Sequence, residues 1–314
     1  MRPEEKIEYA RDFLQARIDR DFAYPFKVMC EDDQLLFRLR SGRKECCARL
    51  RQSMEVAECI ADGTKEQREA EIVRLFEILR AAVQAQESTA LSEISNYEKV
   101  KNELIMRPLN YDLVRDQIHD VPHIRMGDVA LVLYAVMAHE GSDYFTAKMR
   151  RFQMENWERS EEEVLEEALI NTSFLYPPRL YTMKDMLNWE NKQYDDGKFM
   201  GGEMKIKKGV RGYVLTSTLE INGAAAVFYP GVAHKIAESF GEDFYIAFTS
   251  IHEAHIHAVS TIEPDIVESS LRDTNYYCNR EEELLTDKVF CYRLKEKCFG
   301  IIEDGEFLEV MKDA

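Results

Sequence analysis

The last third of the chain constrains the fold most, because short apolar runs alternate there with turn residues at close spacing. Residues 212–217 have the composition of a strand. Asn222-Gly223 is a tight-turn dipeptide between two apolar runs and predicts a hairpin, with 224–229 as the return strand. Pro230 and Gly241 bracket a helix in the usual order, Pro at the start and Gly at the end. A buried strand is expected at 244–248, a connection at 249–253, and an alternating strand at 254–259. Residues 264–276 read as a helix. The end of the chain, 289–294, 299–302 and 307–310, reads as a meander with short polar turns.

Two further segments precede this one. In 1–90, Pro3 suits a first helical turn, and Ile7, Ala10, Phe13 and Leu14 form a stripe at helical spacing. Two β-like runs, 26–30 and 35–39, flank a polar turn. A long helical stretch is expected from 45 to 86, broken at Asp62-Gly63, with Thr64 capping its second half. Residues 87–95 are small and polar, as in a linker. In 96–190, the apolar run 129–137 has the length of a buried strand, although its alanines also suit a helix; 144–152 is its expected partner. Ser160 and Glu163 form a capping box for a helix over 161–170, which Asn171-Thr172 and Pro177-Pro178 are expected to stop. Gly197, Gly201 and Gly202 mark a loop within 191–211, before the third segment at 206–314. The fold class expected is therefore α+β, with mixed, mostly antiparallel sheets and packed helices in two or three segments.

Charge narrows the partners. The chain of 314 residues has a net charge of −17, and 16 Phe, 15 Tyr and 2 Trp are spread along it, unlike a disordered chain. Residues 1–90 hold 16 Lys and Arg against 18 Asp and Glu, so nearly all the excess lies beyond residue 90. Nucleic acids and anionic membrane surfaces demand the opposite sign. No apolar run approaches the roughly 20 residues that span a bilayer. The seven cysteines are odd in number and contain no CxxC pair, and the amino-terminal stretch is charged and amphipathic; both fit reduced thiols in the cytoplasm.

Four segments in order resemble the bacterial family known as domain of unknown function 5688. They are NYEKVKNELIMRPLNYDLVRDQIHDVPHIRMGDVALVLYAVM (96–137), SEEEVLEEALINTSFLYPPRLYTMKDML (160–187), YVLTSTLEINGAAAVFYPGVAHKIAESFGEDFYIAFTSIHEA (213–254) and REEELLTDKVFCYRL (280–294). The first 90 residues match in outline. After the Ser250-Ile251-His252-Glu253 step the family usually continues with aliphatic residues, whereas this chain has Ala254-His255-Ile256-His257. Phe248 stands where the family often has Pro. The resemblance implies an architecture and no mechanism.

The densest chemistry is His252-Glu253-Ala254-His255-Ile256-His257. It is not a zinc-protease HExxH helix, because its histidines lack the i, i+4 spacing. On a strand, His255 and His257 share one face, where two imidazoles can hold part of a metal site, but a third ligand is needed. The bland alternative is a polar outer face of a half-buried strand. Ser250, His252 and Glu253 supply the residue types of a nucleophile, base and orienting acid, without a GxSxG elbow; Thr249 and Ser250 equally suit a turn. Asn171 and Thr172, after a helix, and Tyr229, at a strand-to-helix junction, are ligand-binding candidates, each with a capping or chain-reversal role as its alternative. His119 and His123 are separated by Pro122, and Cys46-Cys47 are adjacent, as in a buried helix. The acidic runs 161–163 and 281–283 are expected near helix starts.

Three functions follow as expectations. The first is a cytoplasmic binding or regulatory protein whose acidic carboxy-terminal half recognises a protein partner, without a cofactor. The second is a hydrolase built on 249–257, and the third a metal-binding protein using His255 and His257.

Overall fold

The computed structural model describes residues 2–22, 26–31, 34–41, 44–50, 53–88, 96–140, 143–183, 186, 197–200, 212–303 and 305–313. The fold is α+β with antiparallel sheets. It divides into two compact units, Met1–Ile94 with Val136–Ala147, and Ser95–Ala135 with Lys148–Ala314.

In the first unit, α1 (Pro3–Asp21) carries Ile7, Ala10, Leu14 and Ile18 on one buried stripe, with Phe13 packed at its margin. Strands β1 (Lys27–Glu31), β2 (Gln34–Ser41) and β3 (Lys44–Arg49) form an antiparallel sheet with β2 central. Helices α2 (Ser53–Asp62) and α3 (Lys65–Ser88) follow. Thr64 and Gln67 cap α3 reciprocally: each backbone N–H donates to the other's side chain, at 2.8 and 3.3 Å. Val56 and Ile60 of α2 and Ile72, Leu75 and Leu79 of α3 complete one core with α1. Each such side chain contributes about 1.5–3 kcal/mol on burial.

The helix expected from residue 45 begins only at Ser53. Residues 44–49 pair instead with β2, in a register that sets Cys46 opposite Leu39 and Cys47 opposite Arg38. An open edge on β2 decides this stretch more strongly than local propensity does. The adjacent cysteines therefore lie on a strand, not a helix. The polar stretch 89–95 and most of the glycine loop within 191–211 lie outside the described residues.

The second unit starts with α4 (Tyr97–Val100) and a 3₁₀ turn, Lys101–Glu103, leading into β4 (Leu104–Asn110). Asn110 Oδ1 accepts from Leu113 N–H and opens α5 (Tyr111–Ile118). Strands β5 (His123–Met126), β6 (Val129–Glu140) and β7 (Asp143–Lys148) follow, and β4, β5 and β7 all pair with β6. The continuous apolar run of β6 is explained by burial of both its faces, from Val129 to Val136. After α6 (Arg151–Met154), the expected capping box of Ser160 and Glu163 opens α7 (Glu161–Leu175).

Helix α7 runs past its expected stop at Asn171. Thr172 Oγ1 donates to Ala168 O at 2.5 Å and Ser173 Oγ to Ile170 O at 2.7 Å, so both hydroxyls bond back along the helix. The helix ends at Tyr176, before the proline pair.

Strands β8 (Pro178–Thr182), β9 (Tyr213–Ser217), β10 (Phe244–Ser250), β11 (Glu253–Ala258), β12 (Val289–Arg293), β13 (Cys298–Glu303) and β14 (Glu306–Lys312) form a seven-stranded sheet. Its order is β14-β13-β12-β10-β11-β9-β8. The meander β12–β14 stands as expected. Helix α8 (Val232–Phe240) ends at Gly241 in the left-handed region, and α9 (Pro264–Cys278) lays Val267 and Leu271 against Ala247 and Val289.

The hairpin expected at Asn222-Gly223 does not form. Asn222 is left-handed, with φ of 52°, but Gly223–Phe228 is a buried 3₁₀ segment. β8 and β11 already occupy both edges of β9, so no edge remains for a return strand. Gly223 lets this segment approach closely: a Cβ there would lie 2.4 Å from His252 O and 2.6 Å from Ser217 N. Among the described residues no helix is long and apolar enough to cross a membrane.

Candidate functional site

The turn between β10 and β11 gathers most of the candidate residues. Ser250 pairs with Glu253, so Ile251 and His252 form a two-residue connection, and the register shifts between Ala247 and Ser250. This bulge places Thr249 and Ser250 in buried positions at the strand end. Neighbouring elements fix the turn through its backbone. Ile251 N–H donates to Glu283 O at 2.9 Å, and Ile251 O accepts from Ala224 N–H at 3.2 Å. Thr216 Oγ1 donates to His252 O at 2.8 Å. Asn279 Nδ2 donates to Thr249 O and, at 2.7 Å, to Asn275 Oδ1, tying the end of α9 to β10.

Ser250, His252 and Glu253 are adjacent here, but their bonds do not run in the order of a catalytic relay. Ser250 Oγ accepts from His252 N–H at 3.0 Å. His252 Nδ1 accepts from Asn222 N–H at 3.2 Å, and Nε2 stands 3.8 Å from Glu283 Oε1. A proton-accepting lone pair on Nδ1 is thus directed at the 3₁₀ segment. Glu253 Oε1 accepts from Thr249 Oγ1 at 3.0 Å and lies 3.4 Å from His255 Nε2. The hydrogen bond from His255 holds the Glu253 carboxyl below its ordinary range, against the opposing effect of burial.

Alternation along β11 buries Ala254, Ile256 and Ala258 and leaves Glu253, His255 and His257 on the half-buried face. The two imidazoles stand nearly edge to face with centroids 6.4 Å apart. Among the described residues no group of three His, Cys, Asp or Glu side chains is arranged to hold a metal ion.

The other candidates are placed structurally. Asn171 Nδ2 donates to Lys101 O at 2.6 Å, and buried Thr172 Oγ1 accepts from Met106 N–H at 2.9 Å, so both join α7 to the start of β4. Tyr229 is buried, and burial pushes its phenol far above the ordinary range. At the following junction Val232 N–H already bonds Tyr229 O at 3.0 Å. His119 and His123 point at separate carbonyls, of Asp116 and Val121. Glu161–Glu163 occupy the first turn of α7, whereas 281–283 lie in a turn rather than at a helix start. Cys59, Cys278, Cys291 and Cys298 are free thiols, and burial pushes Cys291 up to about 12.

One feature escaped sequence reading, an aromatic pair on α9: Tyr276 and Tyr277 are 81 % and 77 % exposed, and their rings meet edge to face at 4.8 Å. Their signal was a position on the polar side of an amphipathic helix whose buried side is Val267, Leu271 and Asn275.

The chain belongs to the family of unknown function DUF5688, whose model matches residues 55–294. No curated protein and no solved structure matches the chain.

Proposed function

We infer that this member of the family is a cytoplasmic protein-binding protein that seats a basic segment of its partner on the outer face of α9. The observation that carries this reading is the exposed pair Tyr276 and Tyr277 on a helix anchored from below. Asn275 Nδ2 donates to Thr286 O at 3.0 Å and to Asp287 Oδ1 at 2.7 Å, and Asn279 holds Thr249 O, so the helix end is fixed before any partner arrives. Pre-ordered aromatic side chains lose little entropy on binding and are the commonest binding hot spots, together with Trp and Arg.

Helical spacing sets exposed Ile266, Asp273, Tyr276 and Tyr277 on one face. Glu281, Glu282 and Asp287 follow in the next turn and are exposed. An Arg or Lys of a partner gains from both features, the ring faces and the carboxylates. The same acidity opposes nucleic acid and anionic lipid. Free thiols at Cys59, Cys278, Cys291 and Cys298 support a reducing compartment.

The test is paired affinity capture with wild-type protein and the Tyr276→Ala/Tyr277→Ala double variant. A stoichiometric partner is expected with wild type, weakened about tenfold or more in the variant, and released as salt rises from about 50 to about 500 mM. A partner retained equally by both proteins, or indifferent to salt, refutes this assignment of the surface.

A further inference from the structure

The seven-stranded sheet ends on β14, and that edge is open. β13 pairs with one side of β14, and among the described residues no backbone group bonds the other side. In an antiparallel ladder alternate residues turn both N–H and C=O away from the neighbour, so β14 presents unpaired donors and acceptors along its outer side. No residue of β14 is buried, and Leu308 is 45 % exposed. The opposite edge differs: on β8, Leu180 N–H donates to Gly197 O at 2.8 Å.

β14 is held firmly in this open position. Phe307 lies across Gly300 of β13, where an added Cβ would strike its ring. Arg293 of β12 lies over the same ring, its guanidinium carbon 3.8 Å from the centroid. Past the end of the strand, Tyr292 Oη donates to Asp313 Oδ2 at 2.6 Å and Asp313 N–H to Lys297 O at 2.8 Å. A strand ordered in advance loses little entropy on pairing. Phe299 is matched with Met311 and Gly300 with Glu309, so Val310 forms a bulge. The bulge confines regular pairing along the outer side to 306–309.

We propose that this edge pairs with β14 of a second copy of the chain, joining the two sheets antiparallel about a two-fold axis at Leu308. Such an axis passes through a residue matched with itself, and Leu308 is the exposed apolar residue of the regular stretch. Each leucine covers the other. Directly opposite residues share a face, so Phe307 meets Glu309 of the second copy on the face where Arg293 lies. Among the described residues Arg293 has no carboxylate partner, and the second copy brings one to its side of the sheet. The net charge of −17 on each chain opposes association, but salt screens that repulsion, and the backbone ladder and the apolar contact are what hold the pair. The proposal does not rest on the α9 surface.

The experiment is sedimentation equilibrium of the full chain over a concentration series, at about 50 and about 500 mM salt. Wild type is expected to form a dimer, held as tightly or more tightly at the higher salt. Leu308→Lys is expected to weaken the dimer about tenfold or more, because it sets two ammoniums against each other. Since the side chain is exposed, the same variant is expected to keep the unfolding midpoint of dilute wild type. Leu308→Cys is expected to give a disulfide-linked dimer under mild oxidation, beyond any that wild type gives. A wild-type chain still monomeric at about 100 μM overturns the proposal. So does a dimer that persists unchanged in Leu308→Lys or dissociates as salt rises, and so does a Leu308→Cys protein that cross-links no more than wild type.

Discussion

Replacing Gly223 by alanine tests the close approach on which the 249–257 turn depends. The added Cβ would stand 2.3 Å from Thr216 Oγ1, 2.4 Å from His252 O and 2.6 Å from Ser217 N. Comfortable contacts of this kind require about 1 Å more. The threonine oxygen can rotate away, but the other two atoms are backbone, one on β9 inside the sheet and one in the turn that β10 and β11 hold. Overpacking of this sort costs about 1–3 kcal/mol. Forcing Thr216 from His252 forfeits a hydrogen bond contributing about 0.5–1.5 kcal/mol. Alanine recovers about 0.4–1 kcal/mol by restricting the unfolded chain. The net expectation is a loss of about 2–3 kcal/mol. Urea unfolding followed by tryptophan fluorescence measures it in the right place, since Trp157 is buried in the second unit. The amide resonance of Asn222, whose N–H donates to His252, should shift in the same variant. A variant within about 0.5 kcal/mol of wild type would show that the segment yields freely, and the reasoning would fail.

Three further substitutions probe single contacts. Thr172→Val keeps the shape but leaves the buried Met106 N–H without its acceptor, so unfolding should show a loss of about 1–3 kcal/mol, and an unchanged midpoint would contradict the contact. Burial raises the Asp128 carboxyl, so its contribution is present at low pH and lost as pH rises through its folded pKa; Asp128→Asn should therefore gain on wild type as pH climbs above about 4, in a pH series of urea titrations. A constant difference across that series would reject the assignment. Glu253 is shifted the other way, so its contribution is present above the ordinary carboxylate range and lost as pH falls through its folded pKa. Glu253→Gln should be less stable by about 0.5–1 kcal/mol at neutral pH and should close that gap in acid; equal stability at neutral pH would count against the His255 contact.

The sequence by itself determined those features that depend on neighbours along the chain. The stripe of Ile7, Ala10 and Leu14, the cap at Thr64, the capping box of Ser160 with Glu163, the alternating face of β11 and the terminal meander are all local, and all stand in the structure. So are the α+β class and the family. Tertiary structure decided what required a partner distant in sequence. Residues 44–49 became a strand because β2 offered an edge, and 224–228 did not, because β9 had none left. Asn171 and Thr172 carried no stop signal once Lys101 O and Met106 N–H stood beside them. The 249–257 cluster shows the limit most clearly. Its residue types were legible, but the directions of their hydrogen bonds were set by Asn222, Thr216 and Glu283, from three other parts of the chain.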